Sequence, residues 1–376
     1  MTGKVVIALN TAWNLVNFRA GLIRALVEAG YEVIAVAPPD EYAARLPALG
    51  CRYIPLAMDN KGTHPGRDLL LLIRYLRLLH RERPDLFLGY TVKPNVYGSI
   101  VAHMLGIPVV NNIAGLGTVF NHQNWLTTVV TWLYRIALSR SRKVFFQNEE
   151  DRTLFIESGM VRRELTARLP GSGVDVRAFN PSAPSPSAER PFRFLLTSRM
   201  LWDKGVGEYV EAARRVRQRF PDCEFRLLGF LDVKNPTAIS REQMGLWVEE
   251  GVVAYLGAVS DVKPQLEAID CVVLPSLYRE GVPRSLLEAA AMAKPIITTD
   301  AVGCKDVVDD GVNGYLVKVG DVADLAEKME RMMCLTPGER EAMGAKGREK
   351  VEREFDERFV IAMYLNSVRS ICGSAQ

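Results

Sequence analysis

The stretch SLYREGVPRSLLEAA, Ser276 to Ala290, holds two glutamates, Glu280 and Glu288, with a glycine and a proline between them. On one unbroken α-helix that spacing is a little over two turns, which would put both carboxylates on one face. Gly281 and Pro283 argue against this, because proline is tolerated in a helix only near its first turn. The sequence therefore predicts Glu280 in a loop and Glu288 early in a helix that starts near Arg284. A carboxylate before a helix N-terminus, followed by a second one inside it, needs a chemical reason.

Working outward, CVVLPS before this stretch and PIITTD after it read as buried strands. RFLLTS, EFRLLGF, VVAYLG and GYLVKV extend the set, with helices over Gly207–Phe220, Ser285–Ala293 and Asp321–Met333. The first half repeats the pattern with KVVIALN, EVIAVAP, DLFLGY, PVVNNI and KVFFQN, interleaved with amphipathic segments such as FRAGLIRALVEAG. Strands alternating with helices predict parallel sheets. The fold class is α/β: two doubly wound Rossmann-like domains facing across a cleft, over residues 1–175 and 190–354. The Pro/Ser-rich segment Pro181 to Pro191 reads as an exposed linker. The amphipathic segment FDERFVIAMYLNSVRSI is expected as a helix over 355–372 that either caps the second domain or crosses back to the first.

At 376 residues, two domains are expected, and 48% hydrophobic with 24% charged residues is globular composition. Six scattered cysteines without a CxxC pair argue against a zinc site or a disulfide framework and fit a reducing cytoplasm. The start MTGKVVIALN runs straight into a strand, with no signal-peptide pattern. Residues 1–175 carry 20 Lys and Arg against 14 Asp and Glu, a charge of +6, while the remainder carries 27 against 30, or −3. A basic first half suits an anionic partner.

Neither GxGxxG nor GxxxxGK[ST] follows a strand here, which disfavours a dehydrogenase or a P-loop NTPase. The four histidines (His64, His80, His103, His122) are too scattered to suggest a metal site. Phosphate chemistry points elsewhere. The loop after CVVLPS runs into a helix N-terminus, whose N–H groups and dipole suit a phosphate, and Gly281 allows close approach. Arg199 and Lys204, in TSRMLWDKG after strand RFLLTS, fall at the carboxyl edge of the same sheet. Two cations and a helix N-terminus can clamp a diphosphate, and carboxylates nearby can accept hydrogen bonds from polyol hydroxyls. A diphosphate flanked by two polyols is a nucleotide-sugar.

SRMLWDKG, YLGAVSD and LPSLYREGVPRSLLEAAAMAKPIITTDAVGCKDVVDDGVNGYLV resemble glycosyltransferase family four, whose fold is GT-B, through essentially the whole second domain. In the first domain, TAWNLVNFRAGLIRAL, PVVNNIAGLGTVF and FFQNEEDRTLF resemble a bacterial subgroup that extends undecaprenyl-diphosphate-linked sugars. Enzymes that add N-acetylgalactosamine, from UDP-GalNAc, to a lipid-linked bacillosamine resemble this chain in both halves. The resemblance implies that Glu288 holds the ribose hydroxyls and that Glu280 contacts the transferred sugar. It puts the amides of Gly281, Val282, Arg284, Ser285 and Leu286 on the distal phosphate, with Arg199 and Lys204 on the diphosphate and the backbone around Val259 at the base. Glu280, Arg199 and Lys204 are thus the catalytic candidates. It further implies a retaining transfer that needs no metal or other cofactor, with a UDP-sugar as donor substrate.

The first domain should carry the acceptor. The loop NTAWNLVNFR would close over the diphosphate through Asn17 and Arg19, although it departs from the glycine pair frequent in the family. Where family members often place a histidine after the fourth strand, this chain has Val92, leaving Lys93 and Asn95 as acceptor-side contacts. No charged residue falls between Lys93 and Arg135, but Asn111, Asn112, Asn121, Gln123, Asn124 and several glycines interrupt that region, and its apolar piece WLTTVVTWLY is too short to span a bilayer. That piece, and GRDLLLLIRYLRLLHRERPD with its arginines, suit an anionic membrane surface. The expectation is a cytoplasmic, peripheral enzyme on the inner face of the bacterial cytoplasmic membrane, with a polyprenyl-diphosphate-linked glycan as acceptor and no nucleic-acid partner. The rivals are a nucleotide-sugar epimerase of the same fold and a non-catalytic sugar-nucleotide-binding protein.

Overall fold

A computed structural model describes residues 2–59, 64–115, 125–181 and 190–373. The end of PVVNNIAGLGTVF from Leu116 onward, Asn121, His122, Gln123 and Asn124, and most of the Pro/Ser-rich segment lie outside them. The chain divides into two compact units, Met1–Ser172 with Glu357–Gln376, and Gly173–Asp356.

Unit 1 holds β1 (Thr2–Ala8), α1 (Ala12–Phe18), α2 (Ala20–Glu28), β2 (Tyr31–Ala37) and β3 (Arg52–Pro55). It continues through α3 (Pro65–Glu82), β4 (Leu86–Tyr90), α4 (Ser99–Met104), β5 (Val109–Ile113), α5 (Trp125–Leu138), β6 (Lys143–Phe146), α6 (Glu149–Glu157) and β7 (Thr166–Arg168). Its strands pair in parallel in the order β3-β2-β1-β4-β5-β6-β7. A parallel sheet covered on both faces needs strands that are apolar throughout. Successive side chains then serve opposite layers. Val6, Ile34, Phe87 and Val109 lie under α3 and α4, whereas Val5, Val33, Leu88 and Val110 lie under α2 and the last helix of the chain.

Unit 2 runs β8 (Arg193–Thr197), α7 (Val206–Arg219), β9 (Glu224–Leu228), α8 (Arg241–Glu249), β10 (Ala254–Tyr255), α9 (Lys263–Glu267) and β11 (Cys271–Leu274). Then follow α10 (Arg284–Ala291), β12 (Ile296–Thr299), β13 (Gly314–Val317), α11 (Val322–Cys334) and α12 (Pro337–Glu354). Its sheet is parallel in the order β10-β9-β8-β11-β12-β13. The last helix, α13 (Glu357–Gly373), belongs to unit 1 and inserts Val360, Tyr364 and Val368, one side of the helix, into its core.

Three differences from the sequence reading have physical causes. NTAWNLVNFR is not an open loop: Thr11 accepts a hydrogen bond from the Asn14 N–H at 3.1 Å and caps α1, which buries Ala12 and Leu15. The edge strands β3 and β7 have four and three residues, too few for an alternation to register. Residues beyond Ser172 join unit 2, because Val174 and Val176 enter its core and Arg348 donates to the Val176 carbonyl at 2.7 Å. The helix α12 carried a readable signal in Thr336 and Glu339, which form a reciprocal capping box.

Candidate active site

In unit 2 the strand order reverses between β8 and β11, and ligands of such sheets bind outside the carboxyl ends at this reversal. Three loops meet there. After β8 comes a short turn, Trp202–Lys204, closed by Gly205 at φ +73°, where a Cβ would lie 1.9 Å from the Pro275 carbonyl oxygen. The Leu277 N–H donates to the Asp203 carbonyl at 2.9 Å, tying the loop after β11 to the loop after β8. The loop after β12 joins them: the Glu280 N–H donates to the Val302 carbonyl at 3.0 Å, and the Thr299 hydroxyl donates to the Ser276 carbonyl at 2.8 Å.

These ties bring two sequence candidates into contact. The Lys204 ammonium forms an ion pair with the Glu280 carboxylate, both side chains nearly buried. The Ser276 hydroxyl donates to the same Glu280 oxygen at 2.9 Å, and the Tyr278 ring centroid lies 5.0 Å from Lys204 Nζ. Burial alone would lower the Lys204 pKa, but the Glu280 carboxylate and the Tyr278 side chain together outweigh it and hold the amine above its ordinary value. Arg199, by contrast, is exposed, and its side chain has no partner among the described residues.

Glu280 lies in the loop and Glu288 is the fifth residue of α10, which Pro283 precedes as an N-cap without a side-chain bond. Glu288 pairs with Arg284 at 3.1 Å, and Arg284 also donates to the Gly173 carbonyl at 2.9 Å. Burial raises the Glu288 pKa, with Arg284 pulling it partly back. Ser285 is half-buried in the first turn of α10, and Val282 sends its side chain into the core. Leu286 does not offer its amide: its N–H already donates to the Pro283 carbonyl at 3.1 Å, which corrects the expected set. Val259 is exposed beside a cavity of about 270 Å³ lined by Phe230, Leu231, Tyr255 and Ala258 at the carboxyl edge of β9 and β10.

Gly303, at φ +84°, supports the whole arrangement. A Cβ there would lie 1.5 Å from the Gly281 carbonyl oxygen. Gly303→Ala is therefore expected to destabilise the protein by at least about 1–3 kcal/mol. Thermal unfolding checks this, and an unchanged Tm would mean that the backbones do not meet so closely.

In unit 1, Asn17 donates to the Trp13 carbonyl at 2.9 Å within α1. Arg19 is nearly buried, with its guanidinium carbon 4.5 Å from the Tyr90 ring centroid. Lys93 binds Asp68 at 2.6 Å. Asn95 is buried, donating to the Asn112 carbonyl at 2.8 Å and accepting from Asn111 at 2.9 Å. The sequence reading missed Thr91, which takes φ +59°, an outlier for a β-branched residue, directly after β4. A widened turn over Pro94–Gly98 follows. Strain and widened turns of this kind concentrate at functional sites.

Among the described residues, no group of three or more His, Cys, Asp or Glu is placed to hold a metal ion. Residues 17–171 match the family described as "Glycosyl transferase 4-like domain", and residues 191–334 match "Glycosyl transferases group 1". The chain belongs to these glycosyltransferases. The enzyme is 27% identical over 367 residues to the N,N'-diacetylbacillosaminyl-diphospho-undecaprenol alpha-1,3-N-acetylgalactosaminyltransferase of Campylobacter jejuni, covering 94% of each chain. It is 25% identical over 294 residues to the UDP-Gal:alpha-D-GlcNAc-diphosphoundecaprenol alpha-1,3-galactosyltransferase of Escherichia coli, covering 75% of this chain and 72% of that one. Among solved structures, Anabaena Alr3699/HepE in complex with UDP and glucose superposes at a TM-score of 0.79 with 19% identity, over 98% of the enzyme and 100% of that chain. At that identity the likeness is one of fold, the two Rossmann-like domains of GT-B.

Proposed function

We propose that the enzyme is a retaining transferase that moves a hexose or N-acetylhexosamine from a UDP-sugar to a polyprenyl-diphosphate-linked sugar, in bacterial surface glycan or glycoprotein assembly. The observation that carries this reading is the Lys204–Glu280 pair at the strand-order reversal of unit 2, next to an α10 N-terminus without a side-chain cap. The printed activities of the two bacterial relatives support the acceptor class.

In the free enzyme Glu280 satisfies Lys204. With donor bound, the diphosphate takes over Lys204 and is met by Arg199 and the first-turn amides of α10, while Glu280 turns to the sugar hydroxyls. Glu288 holds the ribose, and the base lies by Val259 in the adjoining cavity. The bond from the anomeric carbon to phosphate breaks as the acceptor oxygen bonds to the same carbon, and the departing phosphate takes the acceptor proton. Cations aimed at charge that develops on the leaving group lower the barrier. In residues 1–172, Asn17 and Arg19 are the candidates to meet the diphosphate, and Lys93 and Asn95 are those for the acceptor.

Incubation with labelled UDP-sugar, with and without lipid-linked acceptor, tests the reading. Label should move to the lipid phase only with acceptor. Epimerised nucleotide-sugar in its place would overturn the assignment. Turnover is also expected to be unchanged in excess EDTA, because the cationic clamp stabilises the diphosphate. Strict dependence on added magnesium or manganese would refute that role for the clamp.

A further inference from the structure

No helix among the described residues is long and apolar enough to cross a membrane, yet a lipid-linked acceptor has to be met at one. The outer side of α3 is unusual for a solvated helix. Leu69, Leu70, Ile73 and Leu76 are between 37% and 59% exposed. Leu69, Ile73, Leu76 and His80 recur at helical spacing as one stripe, and Arg67, Leu70, Arg74, Arg77 and Arg81 form the stripe beside it. Both carboxylates of α3 are withdrawn from this side. Asp68 is bound by Lys93 at 2.6 Å and by the Tyr97 hydroxyl at 2.8 Å, and Glu82 is buried between Arg52 and Arg81. Asp59 meets Arg67 at the N-terminal end, while Arg77 has no partner among the described residues.

The apolar exposure continues along the same layer of unit 1. On α4 Met104 is exposed, and on α5 Val129, Trp132 and Ile136 face out, followed by exposed Arg140 and Arg142. We propose that this face, α3 and α5 with α4 between them, is where unit 1 lies on an anionic lipid surface. Leucines, isoleucines and a tryptophan enter the headgroup boundary while the arginine stripe meets lipid phosphates. A second copy of the chain fits less well, because a face without exposed carboxylates offers nothing to neutralise a copy's arginines. The inference rests on the membrane-linked acceptor reading.

The test is sedimentation of the full chain with vesicles of phosphatidylcholine, with and without phosphatidylglycerol. Binding is expected only with phosphatidylglycerol, should weaken with added salt, and should shift the Trp132 emission to the blue. The double variant Leu70→Glu/Ile73→Glu should partition at least about tenfold less, and Arg77→Glu several-fold less, as expected when both apolar and cationic contributions are needed. Both should keep wild-type transfer to a short, water-soluble acceptor. Equal binding by the variants, no binding by the wild type, or a concentration-dependent dimer that the same substitutions abolish would each overturn the docking face. Vesicle binding needs neither donor nor acceptor. Transfer to a lipid-linked acceptor without vesicle binding refutes only the docking face, and binding without transfer refutes only the acceptor reading.

Discussion

Lys204→Ala is expected to lower turnover by at least about 100-fold, as when one key electrostatic contact to developing charge is removed. The sequence alone would have this variant fold normally, since a lysine in a phosphate clamp reads as a surface residue. The structure changes that expectation. Lys204 is nearly buried and is the cation of the Glu280 carboxylate. Breaking a buried pair by removing one partner costs about 3–5 kcal/mol, because the other charge is left without its counter-charge, although the Ser276 hydroxyl still donates to it. A drop in Tm should therefore accompany the loss of activity. The double variant Lys204→Ala/Glu280→Gln separates the two effects. It should regain much of the lost Tm, having no stranded charge, and regain no activity. Turnover within a few-fold of wild type in the single variant would remove Lys204 from the site.

Glu280→Gln and Glu288→Gln are expected to fail in different ways. Glu280 is assigned to the sugar that gains positive charge as its bond to phosphate breaks, so the amide should lower kcat by about 100-fold with a smaller change in donor KM. Glu288 is assigned to the ribose, which does not react. Its contact is similar in ground and transition states, so its loss should raise donor KM about tenfold and leave kcat near wild type. Stability supplies the control. Burial raises the Glu288 pKa, so the folded form holds the proton more tightly than the unfolded one. As pH rises from the ordinary carboxylate value through the raised one, ionisation costs the fold stability. Glu288→Gln removes that cost, and its Tm at neutral pH should equal or exceed wild type. A helix-dipole role would predict a lower Tm with unchanged kinetics, but Glu288 is past the first turn of α10 and Glu280 is outside the helix. If UDP binds Glu288→Gln as tightly as wild type, the ribose assignment is wrong.

Much of this was legible because the deciding signals are local. The uninterrupted apolar runs marked the central strands of both sheets, and Gly281 and Pro283 placed the start of α10 within a residue. The sequence could also name Lys204 and Glu280 as candidates, since each follows a strand of the same sheet. It could not show that they touch, because the contact depends on loops far apart in the chain. Gly205 against Pro275, Glu280 against Val302 and Gly303 against Gly281 are all of this kind. Ser276 reads as the last residue of a strand-like run, and nothing in its spacing announces a bond to Glu280. In unit 1 the residues named as acceptor contacts turned out to be held by internal partners, Lys93 by Asp68 and Asn95 by two asparagines. Residue type predicted their polarity correctly, but polarity alone does not say which polar groups the fold itself will occupy.

The return of α13 to unit 1 has a consequence for biogenesis. Val360, Tyr364 and Val368 complete a core whose first strand begins at Thr2, and the Tyr364 hydroxyl accepts from Asn112 across most of the chain at 2.8 Å. Unit 2 is contiguous, so its core can close as soon as residues 173–356 have left the ribosome. Unit 1 begins first and closes last. During synthesis its leading strands must wait with one layer uncovered while the other unit forms, so nascent unit 1 is the part that a holding chaperone would be expected to guard.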